Sequence, residues 1–445
     1  MRTLISETID NIGKQVTING WVHLRRDHGK LIFLNIRDRS GFIQVVVNAK
    51  ASEKAYETAK EIRSEFAVKI LGIVKKRPEN AIDKSSVAGS VELEAKEITV
   101  FSKSETLPFD MGGKDLNLEL PTLLDNRGLT LRHTKISAIF KIQETVIDSF
   151  RIACKKKGFT EFQSPVIIPQ GAEGGSELFE IKYFDHKAYL SQSPQFYKQI
   201  MVGVFERVFT VNKTLRAEPS VTTRHLTEVT TLDAEFGFIK SWLDVVDMAE
   251  YVIKFMIDAI SKQNIDILRM YNKTSPKIPT YIPRIKLREA QEIIFKRTGR
   301  DNRKEPDLQP EDEREICRWS LEEKDSDLVF VTHYPVSKRP FYTFEDLQDR
   351  GYTLSFDLIG RGAEWMTGGQ RINDYNKLVE SAKKRGIDLK KSEIYLQAFR
   401  YGMPPEGGFS FGSERITMHV LGLQNIREAS LFPRDMERVD ERFSH

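Results

Sequence analysis

Between Glu206 and Phe236 the chain reads ERVFTVNKTLRAEPSVTTRHLTEVTTLDAEF, two β-prone runs flanking a charged loop. VFTV and VTTLDAEF are rich in β-branched and aromatic residues with partial period-two alternation, which predicts a pair of strands and commits this region to a sheet. The loop between them carries Arg216, Glu218, Arg224 and His225. Two guanidinium groups over a sheet floor suit bidentate capture of phosphate or carboxylate oxygens. An ordinary charged hairpin tip would have the same composition.

With 445 residues the chain has room for two or three domains. Its formal net charge is only +4, so affinity for nucleic acid has to come from local basic patches and not from a global field. The two cysteines, Cys154 and Cys317, fit a reducing compartment and suggest neither a disulfide framework nor a zinc site. No apolar run approaches a membrane span, and the first residues lack a signal peptide's apolar core. The expectation is a soluble cytoplasmic protein without a membrane partner.

From Val16 the runs QVTINGWVHLRRD, KLIFLNIRDRSG and FIQVVVN predict three strands, SEKAYETAKEIRSE a helix, and FAVKILGIVKKR and SVELEAKEITVFSK two more strands. That order matches an OB-fold over residues 1–104, whose open face commonly binds single-stranded nucleic acid. A small barrel that only packs on a larger domain is the alternative. Unpaired bases are read by stacking and by hydrogen bonds to their edges, and Phe33 and Gln44 have the side chains for that task.

Residues 105–133 lack a consistent period and predict a linker or hinge. Ile136, Ile139, Phe140, Ile142, Val146, Ile147, Phe150 and Ile152 follow at mostly three- and four-residue spacing, predicting an amphipathic helix. Residues 241–330 carry helical segments and read as an insertion or flanking layer within a C-terminal domain over 134–445.

Three stretches carry a resemblance. GFTEFQSPVIIP (158–169), LRAE with RHLTEVTTLD in the opening hairpin, and GGFSFGSERITMHVLGLQNIREASLFPRD (407–435) resemble motifs 1, 2 and 3 of the class II aminoacyl-tRNA synthetases, in that order. The wording is most similar to the aspartyl branch of archaeal and eukaryotic type. The resemblance implies an α+β, multidomain chain: an anticodon-binding OB-fold β-barrel, then a class II catalytic domain of antiparallel sheet flanked by helices. It also implies a homodimer built on motif 1, whose proline matches Pro165, with ATP, L-aspartate and tRNA as partners and Mg²⁺ as cofactor.

By the same resemblance, Arg216 contacts the α-phosphate and the attacking carboxylate and is the catalytic residue. Ala217, Glu218, Arg224, His225, Leu226, Gly412, Ser413, Glu414 and Arg415 hold ATP, with Arg415 stacking on adenine and binding the γ-phosphate. Glu364 and Thr367 supply hard oxygens for Mg²⁺, a role their chemistry suits. Lys198 in QSPQFYKQ pairs with the substrate side-chain carboxylate and Arg371 takes its other end. Glu173 binds the substrate ammonium with Gln195 beside it, while Phe196 and Tyr197 complete the pocket. Phe33 and Gln44, eleven positions apart as in the family, grip the central anticodon base, and Glu92 is a third contact.

Three residues depart from the family's pattern. Val229 stands where an aromatic normally faces adenine, Glu406 where a histidine is usual in YGMPPxGG, and Ser410 where motif 3 has glycine. The implied activity is an aspartate–tRNA ligase, with tRNA(Asn) as a second acceptor left open. An asparagine–tRNA ligase, or a synthetase-like paralogue with altered activity, are the alternatives.

Overall fold

The computed structural model describes residues 1–84, 86–171, 177–219 and 222–443. It divides into two compact units, Met1–Leu118 and Glu119–His445.

In the first unit, β1 (Gln15–Asp27), β2 (Leu31–Asp38), β3 (Gly41–Asn48), β4 (Ala67–Lys76) and β5 (Val91–Ser102) close into a barrel of order β1-β2-β3-β5-β4, with α1 (Glu53–Glu61) between β3 and β4. Alternation drives closure: Ile32, Leu34 and Ile36 are fully buried on β2, while the residues between them are half-exposed. A bulge between Val22 and Leu24 bends β1. At Gly72 the strands approach so closely that a Cβ would lie 2.5 Å from Glu94 O. Ser52 caps α1 by accepting the Ala55 N–H, and Ala55 and Ala59 seat the helix on the barrel.

The second unit begins with α2 (Leu120–Asp125), α3 (Arg127–Thr130) and α4 (Thr134–Lys156). Part of the stretch expected as a linker is therefore helical and packed. Arg127 is buried and donates to the carbonyls of Glu428, Ser430 and Leu431, contacts too distant in sequence for local pattern to show. On α4 Ile136, Ile139, Ile142, Val146 and Phe150 of the expected stripe are buried and Phe140 and Ile147 half-buried, but Ile152 is 48 % exposed because it lies off that stripe.

An eight-stranded sheet follows, of order β12-β13-β14-β15-β16-β11-β10-β6. Its strands are β6 (Thr160–Glu161), β10 (Arg207–Leu215), β11 (Glu228–Gly237), β12 (Arg284–Lys286), β13 (Leu328–Thr332), β14 (Ser355–Gly360), β15 (Ala363–Gln370) and β16 (Glu406–Gly412). All neighbours are antiparallel except the two edge pairs. A small sheet of β7 (Ile167–Ile168), β8 (Glu180–Tyr183) and β9 (His186–Leu190) precedes α5 (Gln195–Phe205).

The main core joins one face of the large sheet to α4, α6 (Leu243–Gln263) and α12 (Ser413–Leu421). Phe150 on α4 sets its ring edge-on to Phe209 and Phe411, 5.5 and 5.4 Å away. The remaining helices are α7 (Ile265–Met270), α8 (Leu287–Thr298), α9 (Pro310–Lys324), α10 (Tyr375–Lys384) and α11 (Glu393–Arg400). Residues 241–330 are more than a flanking layer. Their α6 stripe of Val245, Ala249, Val252 and Met256 enters the main core, and β12 and β13 extend the sheet.

Candidate functional site

Alternation on β11 separates core from chemistry. Leu232, Ala234 and Phe236 point into the main core, so Asp233 and Glu235 face the opposite side, toward α5. There Lys198 Nζ stands 3.0 Å from Asp233 Oδ1 and 3.2 Å from Glu235 Oε2. Arg371, just past β15, donates through Nε to Glu235 Oε1 at 2.7 Å and through Nη2 to Gly408 O at 3.0 Å. Two buried cations are thus balanced by two buried carboxylates, the condition for keeping charge out of water. Asp233 Oδ2 is buried without a hydrogen-bond partner among the described residues.

A hydrogen-bond network of two amides, a phenol and a carboxyl adjoins this cluster. Gln195 donates to Gln199 Oε1 at 2.9 Å, Tyr395 Oη donates to the same oxygen at 3.1 Å, and Gln199 Nε2 donates to Glu406 Oε1 at 2.8 Å. Burial, with Glu235 nearby, pushes the Glu406 carboxyl well above the usual range. Phe196 stacks on Tyr395 at 4.2 Å, and Tyr197 packs in the same aromatic cluster. Both lie on a different side of α5 from the Lys198 charges. Glu173 falls outside the described residues.

Beside this cluster Arg216, His225, Val229, Glu364, Thr367 and Arg415 line a cleft of about 270 Å³. Arg216 is exposed at the end of β10, and its N–H donates to Thr227 O, tying the two arms of the hairpin together. Ala217 donates its N–H to Glu177 O, and Glu218 is exposed at the hairpin tip. Leu226 is buried in the core. Glu414 accepts the Thr230 N–H and the Ser413 hydroxyl, pinning the start of α12 to β11 beside Gly412. Arg415 lies 3.6 Å from Glu364 Oε1. Burial, then Arg415 and Arg216, hold the His225 imidazole below its ordinary value, which keeps it neutral near pH 7.

Glu364 and Thr367 reach one cleft for a reason hidden from spacing. On a regular strand, residues three apart point to opposite faces. Here Ile359 pairs with Glu364 but Leu358 with Met366, so Trp365 is the extra residue of a bulge and the alternation inverts between the two ligand candidates. Thr367 Oγ1 accepts from Arg339 Nη1 at 3.2 Å, and Arg339 pairs with Asp357 at 2.8 Å. No cluster of three or more His, Cys, Asp or Glu side chains suited to a metal occurs among the described residues. One carboxylate and one hydroxyl on a common cleft suit a cation such as Mg²⁺ that completes its shell with water and phosphate oxygens.

Several residues of this constellation escaped the sequence reading. Asp233 and Glu235 could have been found, since two acids at period two in an apolar strand signal a buried charged face. Gln199, Arg339 and Asp357 carried no local signal. Neither did Glu313 on α9, which pairs with Arg224 at 3.0 Å and whose carboxyl burial pushes up to about 7 with help from Glu364.

On the barrel, Phe33 and Gln44 line a pocket of about 350 Å³ together with Phe42 and Arg77. Gln44 donates to Glu92 Oε2 at 3.0 Å and accepts from Arg77 Nη2 at 3.4 Å. The three expected base contacts therefore meet in one place.

Comparison with known proteins agrees with this anatomy. Residues 119–436 match the family model of class II tRNA synthetases (D, K and N), and residues 16–101 match that of the OB-fold nucleic acid binding domain. An aspartate–tRNA(Asp/Asn) ligase from Thermus thermophilus is 40 % identical over 99 % of this chain and 100 % of its own. An aspartate–tRNA(Asp) ligase from Pyrococcus abyssi is 38 % identical over 96 % of each. Among solved structures, asparaginyl-tRNA synthetase from Pyrococcus horikoshii with asparaginyl-adenylate superposes with a TM-score of 0.88 at 34 % identity, covering 97 % of both chains. Aspartyl-tRNA synthetase from Entamoeba histolytica gives 0.85 at 30 %, covering 99 % of this chain and 92 % of that one. The chain belongs to the class II aminoacyl-tRNA synthetases of the D, K and N group, with an OB-fold nucleic-acid-binding domain ahead of the catalytic one.

Proposed function

We propose that the chain is an aspartate–tRNA ligase, and that the buried Lys198 and Arg371 beside the Arg216 cleft carry that reading. A side-chain carboxylate entering between them meets two cations already oriented by Asp233 and Glu235. A neutral amide would leave those donors under-satisfied, which is how a polar site rejects an isostere. The buried, unpartnered Asp233 Oδ2 is a further acceptor for the substrate ammonium, in addition to Glu173.

In the first step the aspartate α-carboxylate attacks the α-phosphorus of ATP. An O–P bond forms, the bond to the bridging oxygen breaks, and pyrophosphate leaves. Both reactants are anions, so neutralisation and alignment are the main tasks. Arg216 lies between the two reactants, while Arg224 and Arg415 face the pyrophosphate end. No general base is required, because the carboxylate is already ionised near neutral pH. Glu364 and Thr367 would hold Mg²⁺, which draws negative charge away from the phosphates. The terminal ribose hydroxyl of tRNA then attacks the adenylate carbonyl and AMP leaves.

Phe33, Gln44 and Glu92 read the anticodon in this proposal. Relatives are named for tRNA(Asp) alone or for tRNA(Asp/Asn), and tRNA(Asp) is the acceptor proposed here. Val166 and Ile167, exposed in the motif 1 stretch, support a homodimer. No helix among the described residues is long and apolar enough to cross a membrane, and a cytoplasmic site fits two buried free cysteines.

Likeness to asparaginyl enzymes supports asparagine–tRNA ligase as the second reading. ATP–pyrophosphate exchange with each amino acid decides between them. Exchange with aspartate, lost in Lys198→Leu, is the expected result. Preference for asparagine overturns the assignment, and exchange with neither amino acid marks a paralogue.

A further inference from the structure

Glu406 stands beside the buried Lys198, Glu235 and Arg371, where the resembling family has histidine, and its surroundings are specific. The side chain is fully buried on β16. It is faced by Glu235 from β11, Lys198 and Gln199 from α5, Arg371 from just past β15 and Tyr395 from α11. The two cations are already matched by Asp233 and Glu235, so Glu406 is a third acid with no cation of its own. Its two oxygens also differ. Oε1 accepts the Gln199 amide N–H, whereas Oε2 is buried with no hydrogen-bond partner among the described residues.

A carboxylate in that position would be an unpaired buried anion beside Glu235, which is strongly unfavourable. A carboxylic acid resolves the conflict. Oε1, used as an acceptor, stays the carbonyl oxygen, and the proton belongs on Oε2, where it lacks an acceptor until substrate arrives.

Building on the aspartate reading, we propose that Glu406 is a specificity-determining residue that binds as a neutral carboxylic acid, its Oε2–H donating a third hydrogen bond to the side-chain carboxylate of the substrate beside Lys198 and Arg371. The upward push on this carboxyl from burial and Glu235 agrees with the protonated state. Discrimination follows directly. A substrate carboxylate offers an acceptor to the O–H, and an amide presents N–H donors against a donor unless it flips and surrenders its bond to Lys198 or Arg371. The proton stays on Glu406 throughout, and no bond to it forms or breaks.

The test measures aspartate-dependent pyrophosphate exchange at saturating ATP from about pH 6 to about pH 10, for wild type, Glu406→Gln and Glu406→Ala. Glutamine reproduces the acid: its carbonyl accepts from Gln199 and its amide N–H donates to substrate. The expected wild-type KM for aspartate rises at alkaline pH as Glu406 loses its proton. Glu406→Gln holds KM within a few-fold of the wild-type plateau and lacks that rise. Glu406→Ala raises KM about ten- to a hundredfold, with kcat and the KM for ATP little changed. Because Lys198 is common to wild type and Glu406→Gln, the difference between their pH profiles isolates Glu406.

Identical pH profiles for those two proteins, or a Glu406→Gln defect as large as that of Glu406→Ala, would overturn the inference. Wild type that exchanges with asparagine and not aspartate overturns the aspartate reading first, before any variant is compared, and the inference falls with it.

Discussion

Lys198 Nζ lies 3.0 Å from Asp233 Oδ1, and each side chain is only 1 % exposed. Neither charge is solvated, so each depends on the other, on Glu235 and on Arg371. Replacing Lys198 with leucine strands the buried Asp233 carboxylate and leaves Glu235 to Arg371 alone. The expected loss is about 3 to 5 kcal/mol of stability together with aspartate activation. Chemical denaturation and pyrophosphate exchange measure the two effects. If Lys198→Leu/Asp233→Asn recovers stability without recovering exchange, the structural and substrate-binding roles are separated.

Gly408 is the residue that makes room for this cluster. A Cβ there would stand 2.2 Å from Ala234 O and 2.3 Å from Glu235 Oε2. Gly408→Ala is expected to push Glu235 off Arg371, costing about 1 to 3 kcal/mol and raising the KM for aspartate. Thermal unfolding with and without aspartate would show it. An unchanged Tm and KM would mean that the strands separate at no cost.

Arg339 orients the proposed Mg²⁺ ligand Thr367 while pairing with Asp357, its planar group lying 3.9 Å from the Tyr334 ring. Arg339→Met should raise the Mg²⁺ concentration needed for half-maximal exchange about tenfold, the usual scale for groups that orient a ligand. A titration of exchange against Mg²⁺ at fixed ATP is the check.

His419 is held down to about 4, first by burial and then by Arg415, Arg224 and Arg361. In the unfolded chain the imidazole takes up a proton near its ordinary value of about 6.5, whereas in the folded chain it resists until about pH 4. The stability it contributes is therefore full above about pH 6.5 and is lost as pH falls to about 4, by up to about 3 kcal/mol. His419→Gln should flatten the stability profile in that window. Denaturant midpoints of both proteins across the range would reveal a parallel fall if His419 plays no part.

Gln44 tests the separation of the two units. Gln44→Ala removes the partner of Glu92 and Arg77 in the barrel pocket and should raise the KM for tRNA about tenfold. Exchange with aspartate in the absence of tRNA should stay at the wild-type rate. A loss of exchange would show that the barrel acts on amino-acid activation as well.

The sequence by itself determined the barrel, the amphipathic α4, the hairpin that carries Arg216 and Arg224, and the positions of Lys198, Glu364, Thr367 and Arg371. These are local properties: period-two and helical spacing, turn residues, and short motifs whose chemistry is written into residue type. Tertiary structure decided how those residues meet. It set Asp233 and Glu235 under Lys198, because only the packing of α5 on β11 brings residues 35 and 37 positions apart into contact. It placed Glu364 and Thr367 on one face through a single-residue bulge, a slip in register between two strands that neither strand encodes alone. It turned Phe196 and Tyr197 into an aromatic cluster completed by Phe341 and Tyr395 from distant segments. Burial also pushes the Glu406 carboxyl upward, an effect of the carboxylates, amides and cations around it, which the pairing of β16 with β11 and the packing of α5 and α11 assemble.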